Sequence, residues 1–514
     1  MTAPANPILP GCHPDPSICR VGEWYYLVTS TFEYLPGLPV MRSRDLVRWE
    51  TVGHVVDRAD MLDYAGIASS GGLYAPTIRH HDGLFWVVCT LVDQRDDSRG
   101  GNFLVTAEDP AGPWSDPVWL DVDGIDPSLL IDHDGRIWMH GTRLAPEPEH
   151  FHQTEVWVRE YSHAERALIG PEHIVWNGAV RGAVWAEGPH LYRIGERYYL
   201  LAAEGGTEYH HAVSIARADT VTGPYEGNRA NPVFTHRHLG RRPGVMGAGH
   251  ADLVQAPDGS WHAVMLAMRA ADGHHYPLGR ETFLCPVVWE DGWPVFAPGE
   301  GRLPDTVELP WALDAAPAGA WQPDDRTAGV VPPADPRWTS LRALPRDVSE
   351  AAGDALVLPV RAETLADAGT VAFVGIRQQH ADADAVATLD LSGLADGESA
   401  GLVVRQSEGD HATVTATRRG ARFAIAAAHR RGGEERVLGE HLVDGPVIRL
   451  GARLRGYECE LRRDDRALGT VDARELSSIA TGGFLGLWLG VFATSHGAEP
   501  RGRATVASFA YAPA

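Results

Sequence analysis

The sequence predicts an all-β protein: a five-bladed β-propeller over residues 1–315, followed by a β-sandwich over residues 316–514. Two observations carry this reading. The first is a pattern repeated five times: a short polar-to-apolar motif, seven to nine residues to a tight Gly turn, then a run of aromatics. The motifs open at Asp15, Ala75, Asp126, Glu187 and His250, and the turns fall at Gly22, Gly83, Gly135, Gly195 and Gly259. A spacing of about 50 to 63 residues fits one four-stranded sheet per repeat, and five such sheets set radially make a propeller. The second is a change of pattern, because beyond an Ala, Pro and Asp rich crossing at 312–336 only short alternating strands follow.

The elements can be justified in order. In Val21-Gly22-Glu23-Trp24, Asp82-Gly83-Leu84-Phe85, Asp134-Gly135-Arg136-Ile137, Ile194-Gly195-Glu196-Arg197 and Asp258-Gly259-Ser260-Trp261, a glycine suited to positive φ precedes a strand former. That is a hairpin signature, with the polar motif at the far end of each hairpin. Gly112-Pro113 and Gly223-Pro224 read as turns between outer strands. If each motif begins the corresponding strand of its blade, Asp15, Asp126, Glu187 and His250 face one central funnel. In the second domain, 370–376, 401–405, 411–415, 447–450 and 483–489 read as strands of a sandwich of about 180 residues. Little helix is expected.

Composition narrows the chemistry. A chain of 514 residues exceeds one ordinary core. Its net charge of −23, from 45 basic and 68 acidic residues, disfavours nucleic acid as a partner. Every basic residue is Arg, so the absence of Lys excludes a Schiff-base lysine, a pyridoxal-phosphate lysine and a Walker-type phosphate loop. Cys12, Cys19, Cys89, Cys285 and Cys459 are scattered, form no metal or redox pair, and suit a reducing compartment. Neither a signal sequence nor a membrane-length run is visible, so a cytoplasmic protein without a membrane partner is expected; a secreted form with its signal removed would read alike.

Three acidic motifs stand out, in Pro14-Asp15-Pro16-Ser17, Ile125-Asp126-Pro127-Ser128 and Ala186-Glu187-Gly188-Pro189. Converging carboxylates cannot all ionise freely, and their separated pKa values give a site one acid and one base at neutral pH. Hydrolysis of a glycosidic bond with inversion needs such a pair about 6.5–9.5 Å apart, with room for a water. Asp15 and Glu187 come from blades one and four, across the funnel, which favours inversion. Asp126 would hold the acid in position and keep it protonated by like-charge repulsion.

Taken with Asn6-Pro7-Ile8-Leu9-Pro10-Gly11, Ser30-Thr31-Phe32-Glu33-Tyr34, Gly71-Gly72-Leu73-Tyr74-Ala75-Pro76-Thr77, Gly249-His250-Ala251-Asp252 and Leu278-Gly279-Arg280-Glu281-Thr282-Phe283, these motifs resemble glycoside hydrolase family 43. The likeness is to its two-domain β-xylosidases and α-L-arabinofuranosidases. The resemblance implies Asp15 as general base, Glu187 as general acid and Asp126 as modulator of the acid. It also implies His250 at the funnel floor, Arg280 touching Asp126 and sugar hydroxyls, and Phe32 and Tyr74 as pocket walls. Tyr74 stands where many members carry Trp. No cofactor is implied for the chemistry, although some members hold Ca2+ near the propeller centre, where His250 would be its protein contact. The second domain resembles the family's lectin-like jelly roll, whose expected role is to close one side of the pocket, with 492–496 as one candidate stretch.

The expected activity is exo-acting, inverting release of xylose from the non-reducing end of β-1,4-xylo-oligosaccharides, with α-L-arabinofuranosidase activity alongside. The substrate is then a xylo-oligosaccharide or an arabinose-substituted one. A primary arabinofuranosidase is the alternative, since both sugars offer similar hydroxyl arrangements. A non-catalytic sugar-binding propeller would have no need of three carboxylates, and the opening typical of the retaining fructan hydrolases is missing. Oligomeric state is left open, a homo-oligomer included.

Overall fold

The computed structural model describes residues 5–240, 244–307, 309 and 329–514. The expected domain boundary at 315/316, and most of the crossing at 312–336, lies outside the described residues. Five sheets form the blades, with inner strands Ser17–Val21, Thr77–His81, Ile125–Ile131, Glu187–Ile194 and Val245–Gln255. Each inner strand turns back through the predicted glycine, and all five glycines hold positive φ, between 61° and 89°. This is the conformation that glycine takes without a Cβ clash. The ring is tied at its start by Asn6, whose amide donates to the carbonyls of Leu284 and Pro304 at 2.8 and 3.0 Å.

Register shows why the inner strands deliver side chains to one end. Two residues oppose one where pairing jumps from Ile125 to Ser128, from Glu187 to His190 and from Gly249 to Ala251. Such bulges re-aim side chains at the end of a strand. Aligned on them, Asp126, Gly188 and His250 are equivalent, and Asp15 and Ala75 stand two residues before the first inner-strand residues Ser17 and Thr77. Glu187 therefore stands one place before the others and matches Ile125, a shift that the spacing of acidic motifs alone did not reveal.

Two places after each of these positions come Ser17, Thr77, Ser128, His190 and Asp252, all buried. Asp252 is the hub of this layer. It accepts from the Arg79 guanidinium at 2.8 and 3.1 Å, from Ser17 Oγ at 2.7 Å and from Tyr192 Oη at 2.6 Å, joining blades one, two, four and five. Blade three joins through Ser128 Oγ, 3.0 Å from His190 Nδ1, which also lies 3.2 Å from Arg79. Burial works to raise the Asp252 pKa, but Arg79 and its other donors hold it well below the usual range. The funnel is thus plugged beneath the site by a paired charge.

The second domain is two packed antiparallel sheets. One runs Ala372–Arg377, Trp488–Thr494, Ser399–Arg405, His411–Arg419, Arg422–Arg431, Glu434–Asp444 in space; the other centres on Arg503–Pro513, Ala383–Asp390 and Val447–Arg455. Ala385, Ala387, Leu402, Val414, Leu450, Leu489 and Phe509 lie in the apolar core between them. The strand expected at 483–489 begins only at Trp488, so 482–487 is a loop apart from the short helix ending at Thr481. Among the described residues no helix is long and apolar enough to cross a membrane.

The two domains share a charged, buried seam. Tyr34–Leu35 of the propeller pairs with Ser340–Leu341, and the Tyr34 ring stacks on Trp488 with centroids 3.9 Å apart. Glu33 and Arg405 are both fully buried with their charges 3.2 Å apart. Arg405 also donates to Tyr34 Oη at 2.7 Å and to Ser69 Oγ at 2.9 Å.

Candidate active site

All seven residues singled out in the sequence line one pocket at the open end of the funnel: Asp15, Phe32, Tyr74, Asp126, Glu187, His250 and Arg280. Asp15, Asp126 and His250 hold φ of 54°, 53° and 48°, and in blade four Gly188 takes that conformation at 54°. A left-handed backbone in non-glycine residues costs about 1–3 kcal/mol each and persists where surrounding contacts fix it. Gly188 has a second reason to be glycine, because a Cβ there would lie 2.7 Å from the His250 ring.

The carboxylates differ in their partners. Asp15 accepts from Ser30 Oγ at 2.6 Å and from Arg280 Nη1 at 2.9 Å, and His250 Nδ1 lies 3.4 Å from the same oxygen that Arg280 holds. Burial would raise its pKa, but Arg280 and His250 outweigh burial and keep it below the usual carboxylate range. Glu187 is pushed up to about 8, first by burial and next by the Asp126 charge. Asp126 accepts from the Gly188 N–H at 3.0 Å, so it is held against the backbone of the residue after Glu187. Burial and Asp15 also raise Asp126, which makes Asp126 and Glu187 neighbours competing to stay ionised. One proton on Glu187 relieves the pair.

Arg280 departs from expectation. It ion-pairs with Asp15 and donates to Thr207 Oγ1 at 3.2 Å, rather than contacting Asp126. The reason is the ring order: Arg280 immediately precedes the blade-five strand Glu281–Glu290, next door to blade one and Asp15, whereas Asp126 is two blades away. His250 is buried, as a funnel-floor residue should be. Burial lowers its pKa, but Asp15 and then Asp126 and Glu187 more than compensate and hold it above the usual imidazole value. One imidazole offers a single nitrogen, whereas calcium asks for six to eight oxygens, and among the described residues His250 belongs to no cluster of three donor side chains. The donor set around His250 therefore does not fit Ca2+. Among the described residues, the side chains close enough to share an ion are Asp132, His133 and Asp134, on a blade-three turn at the opposite end of the hairpin from the site.

The apolar wall has a member that sequence reasoning missed. Phe484, from the loop before Trp488, lies near-parallel to Phe32 at 6.0 Å and edge-on to Tyr74 at 5.8 Å. Its N–H donates to Ser70 Oγ at 2.9 Å. Close backbone approach fixes the loop, since a Cβ on Gly486 would lie 2.4 Å from the Leu278 carbonyl. The stretch at 492–496 does not do the closing: Phe492 is buried in its strand and faces a different groove, on the sandwich sheet, together with His411 and His496. Thr207 and His211 were also missed. Burial pushes His211 down to about 4, and its Nδ1–H donates to the Gly247 carbonyl at 3.0 Å.

A family model described as glycosyl hydrolases family 43 matches residues 4–294, and one described as the β-xylosidase C-terminal concanavalin A-like domain matches 332–512. The chain belongs to glycoside hydrolase family 43. A xylosidase/arabinosidase of Butyrivibrio fibrisolvens is 38% identical over 96% of both chains. A non-reducing end α-L-arabinofuranosidase of Bacteroides ovatus is 37% identical over 96% of this chain and 91% of its own. The crystal structure of a xylan β-1,4-xylosidase from Bacillus halodurans superposes with a TM-score of 0.86 at 31% identity, covering 99% of this chain and all of the other. This family 43 enzyme thus shares both domains with its relatives, including the sandwich that supplies Phe484.

Proposed function

We propose that this glycoside hydrolase removes single xylosyl residues from the non-reducing end of β-1,4-xylo-oligosaccharides with inversion, and accepts α-L-arabinofuranosides in the same pocket. The observation that carries the proposal is the convergence of Asp15, Asp126 and Glu187 in one pocket, where Arg280 holds Asp15 down against burial and burial with Asp126 pushes Glu187 up to about 8. Near neutral pH Asp15 is a ready base and Glu187 holds a proton.

In this reading Asp15 removes a proton from water as its oxygen bonds to the anomeric carbon, while Glu187 gives its proton to the leaving oxygen as the glycosidic C–O bond breaks. Asp126 keeps Glu187 protonated by repulsion and holds the Gly188 N–H beside it. Arg280 orients Asp15 and lends its remaining donors to sugar hydroxyls. No step requires a metal. Phe32, Tyr74 and Phe484 wall the pocket on one side, which supports action at a chain end rather than within a chain. Relatives named for xylosidase and for arabinofuranosidase activity stand at similar identity, so both sugars belong in the proposal.

Initial rates on an aryl β-D-xylopyranoside and an aryl α-L-arabinofuranoside, with proton NMR of the first sugar released, test it. Release of α-xylose from a β-xyloside is expected. Initial β-xylose would overturn the inverting assignment, and turnover of the arabinofuranoside alone would make the enzyme an arabinofuranosidase.

A further inference from the structure

A row of three aromatic rings starts at Trp185, two residues before Glu187, and runs outward to the surface. Trp185 packs on Gly206, where a Cβ would lie 3.3 Å from its Cδ1, next to pocket-lining Thr207. The His152 ring lies 4.4 Å from the Trp185 ring, and the Phe151 ring 3.5 Å from His152, with planes tilted by 34° and 33°. Phe151, the outermost, is 81% exposed. The row is built rather than loose. The Trp185 backbone N–H donates to the His152 carbonyl at 3.2 Å, and the hydroxyls of Thr142 and Thr154 both donate to the Ala186 carbonyl, at 2.7 and 3.0 Å. His152 and Trp185 both hold left-handed backbone, φ 58° and 53°, which is strain accepted to set these rings.

We propose that Phe151, His152 and Trp185 form the subsite for the leaving sugar, binding the next xylosyl residue of the oligosaccharide by its C–H face. The inference rests on Glu187 being the acid, because the leaving oxygen must reach Glu187 and the leaving residue therefore lies on its side of the pocket. That side carries the ring row, whereas the wall of Phe32, Tyr74 and Phe484 stands on blades one and two and the sandwich. Aromatic faces suit the apolar face of a pyranose. The surroundings suit a neutral ligand, since the charged neighbours Glu149 and Arg181 lie 3.6 Å apart and offset each other.

The test compares xylobiose and xylotriose with β-D-xylosyl fluoride, whose leaving group is one atom and cannot reach the rings. Phe151→Ala, and His152→Asn because Asn tolerates left-handed backbone, should each lower kcat/KM on both oligosaccharides by about five- to tenfold. Rates on the fluoride should change less than twofold. Equal losses on both substrate types would make the row a support for Glu187 instead, and no loss on either would remove it from binding; both results overturn the subsite. If Phe151→Ala leaves the rates alone but changes sedimentation, the patch is a self-association surface and the proposal fails. Glu187→Gln on the same substrates tests the acid separately, since fluoride departs without a proton. If the wild type prefers arabinofuranose, α-L-arabinofuranosyl fluoride and an arabinosylated xylo-oligosaccharide give the same ratio.

Discussion

Arg280 Nη1 stands 2.9 Å from Asp15 Oδ1, both side chains buried, so the candidate base carries its own counter-ion across the seam between the last blade and the first. On the proposed mechanism Arg280 therefore acts on the acid limb of the pH profile. Removing it in Arg280→Ala lets burial raise the Asp15 pKa, so the pH below which kcat/KM falls should move up. The upper limb should stay or rise, because Arg280 also lowers Glu187. A pH series of kcat/KM for the variant and wild type checks this; an unmoved lower limb would detach Arg280 from the base.

On the proposed mechanism the upper limb reports Glu187. With its pKa pushed up to about 8, activity should persist through neutral pH and fall as pH rises through about 8, where the acid loses its proton in the free enzyme. Asp126→Asn removes the repelling charge and should bring that limb down. Should the limb hold still, Asp126 only positions the Gly188 backbone.

Leaving-group dependence separates acid from base. Glu187→Gln should cost about 10²–10⁴ on poor leaving groups and far less on activated aryl glycosides. Asp15→Asn should depress all substrates alike while sugar binding, followed by calorimetry, is largely kept. Matching losses for Glu187→Gln across leaving groups would exclude it as the acid.

Phe484 gives the sandwich a role in the pocket. Phe484→Ala should raise KM by about tenfold, with kcat changing less, because the lost contact is made by bound sugar throughout the reaction. Since the Phe484 side chain packs against the pocket rather than within the sandwich core, the melting temperature should hold. A large drop in melting temperature would mean that the loop serves the interface instead.

Asp252 should be the opposite case. Asp252→Asn leaves the Arg79 guanidinium buried without its counter-charge, and breaking a buried pair costs about 3–5 kcal/mol. Below the depressed Asp252 pKa the same stabilisation is lost by protonation, so it is present above the usual carboxylate range and fades only in strong acid. Denaturant midpoints for the variant at neutral pH measure this, and an unchanged midpoint would remove Asp252 as the axial hub.

Much of the protein was determined by sequence alone. Five Gly turns at a fixed offset set the blades, because a positive φ at each hairpin is a local requirement. Asp15, Asp126 and His250 could be placed at one end of the funnel because repetition carries equivalent positions to one axis, and Glu187, one place before its equivalent, falls at the same end. Tertiary structure alone decided the rest. The partner of Arg280 depends on which blades adjoin once the ring closes, and no motif encodes adjacency between blade five and blade one. The bulges that set Glu187 one place off its counterparts appear only in cross-strand pairing. Phe484, some 410 residues from Tyr74, enters the pocket because Glu33, Tyr34, Arg405 and Trp488 lock the sandwich to the propeller, and a contact between domains leaves no period in the chain.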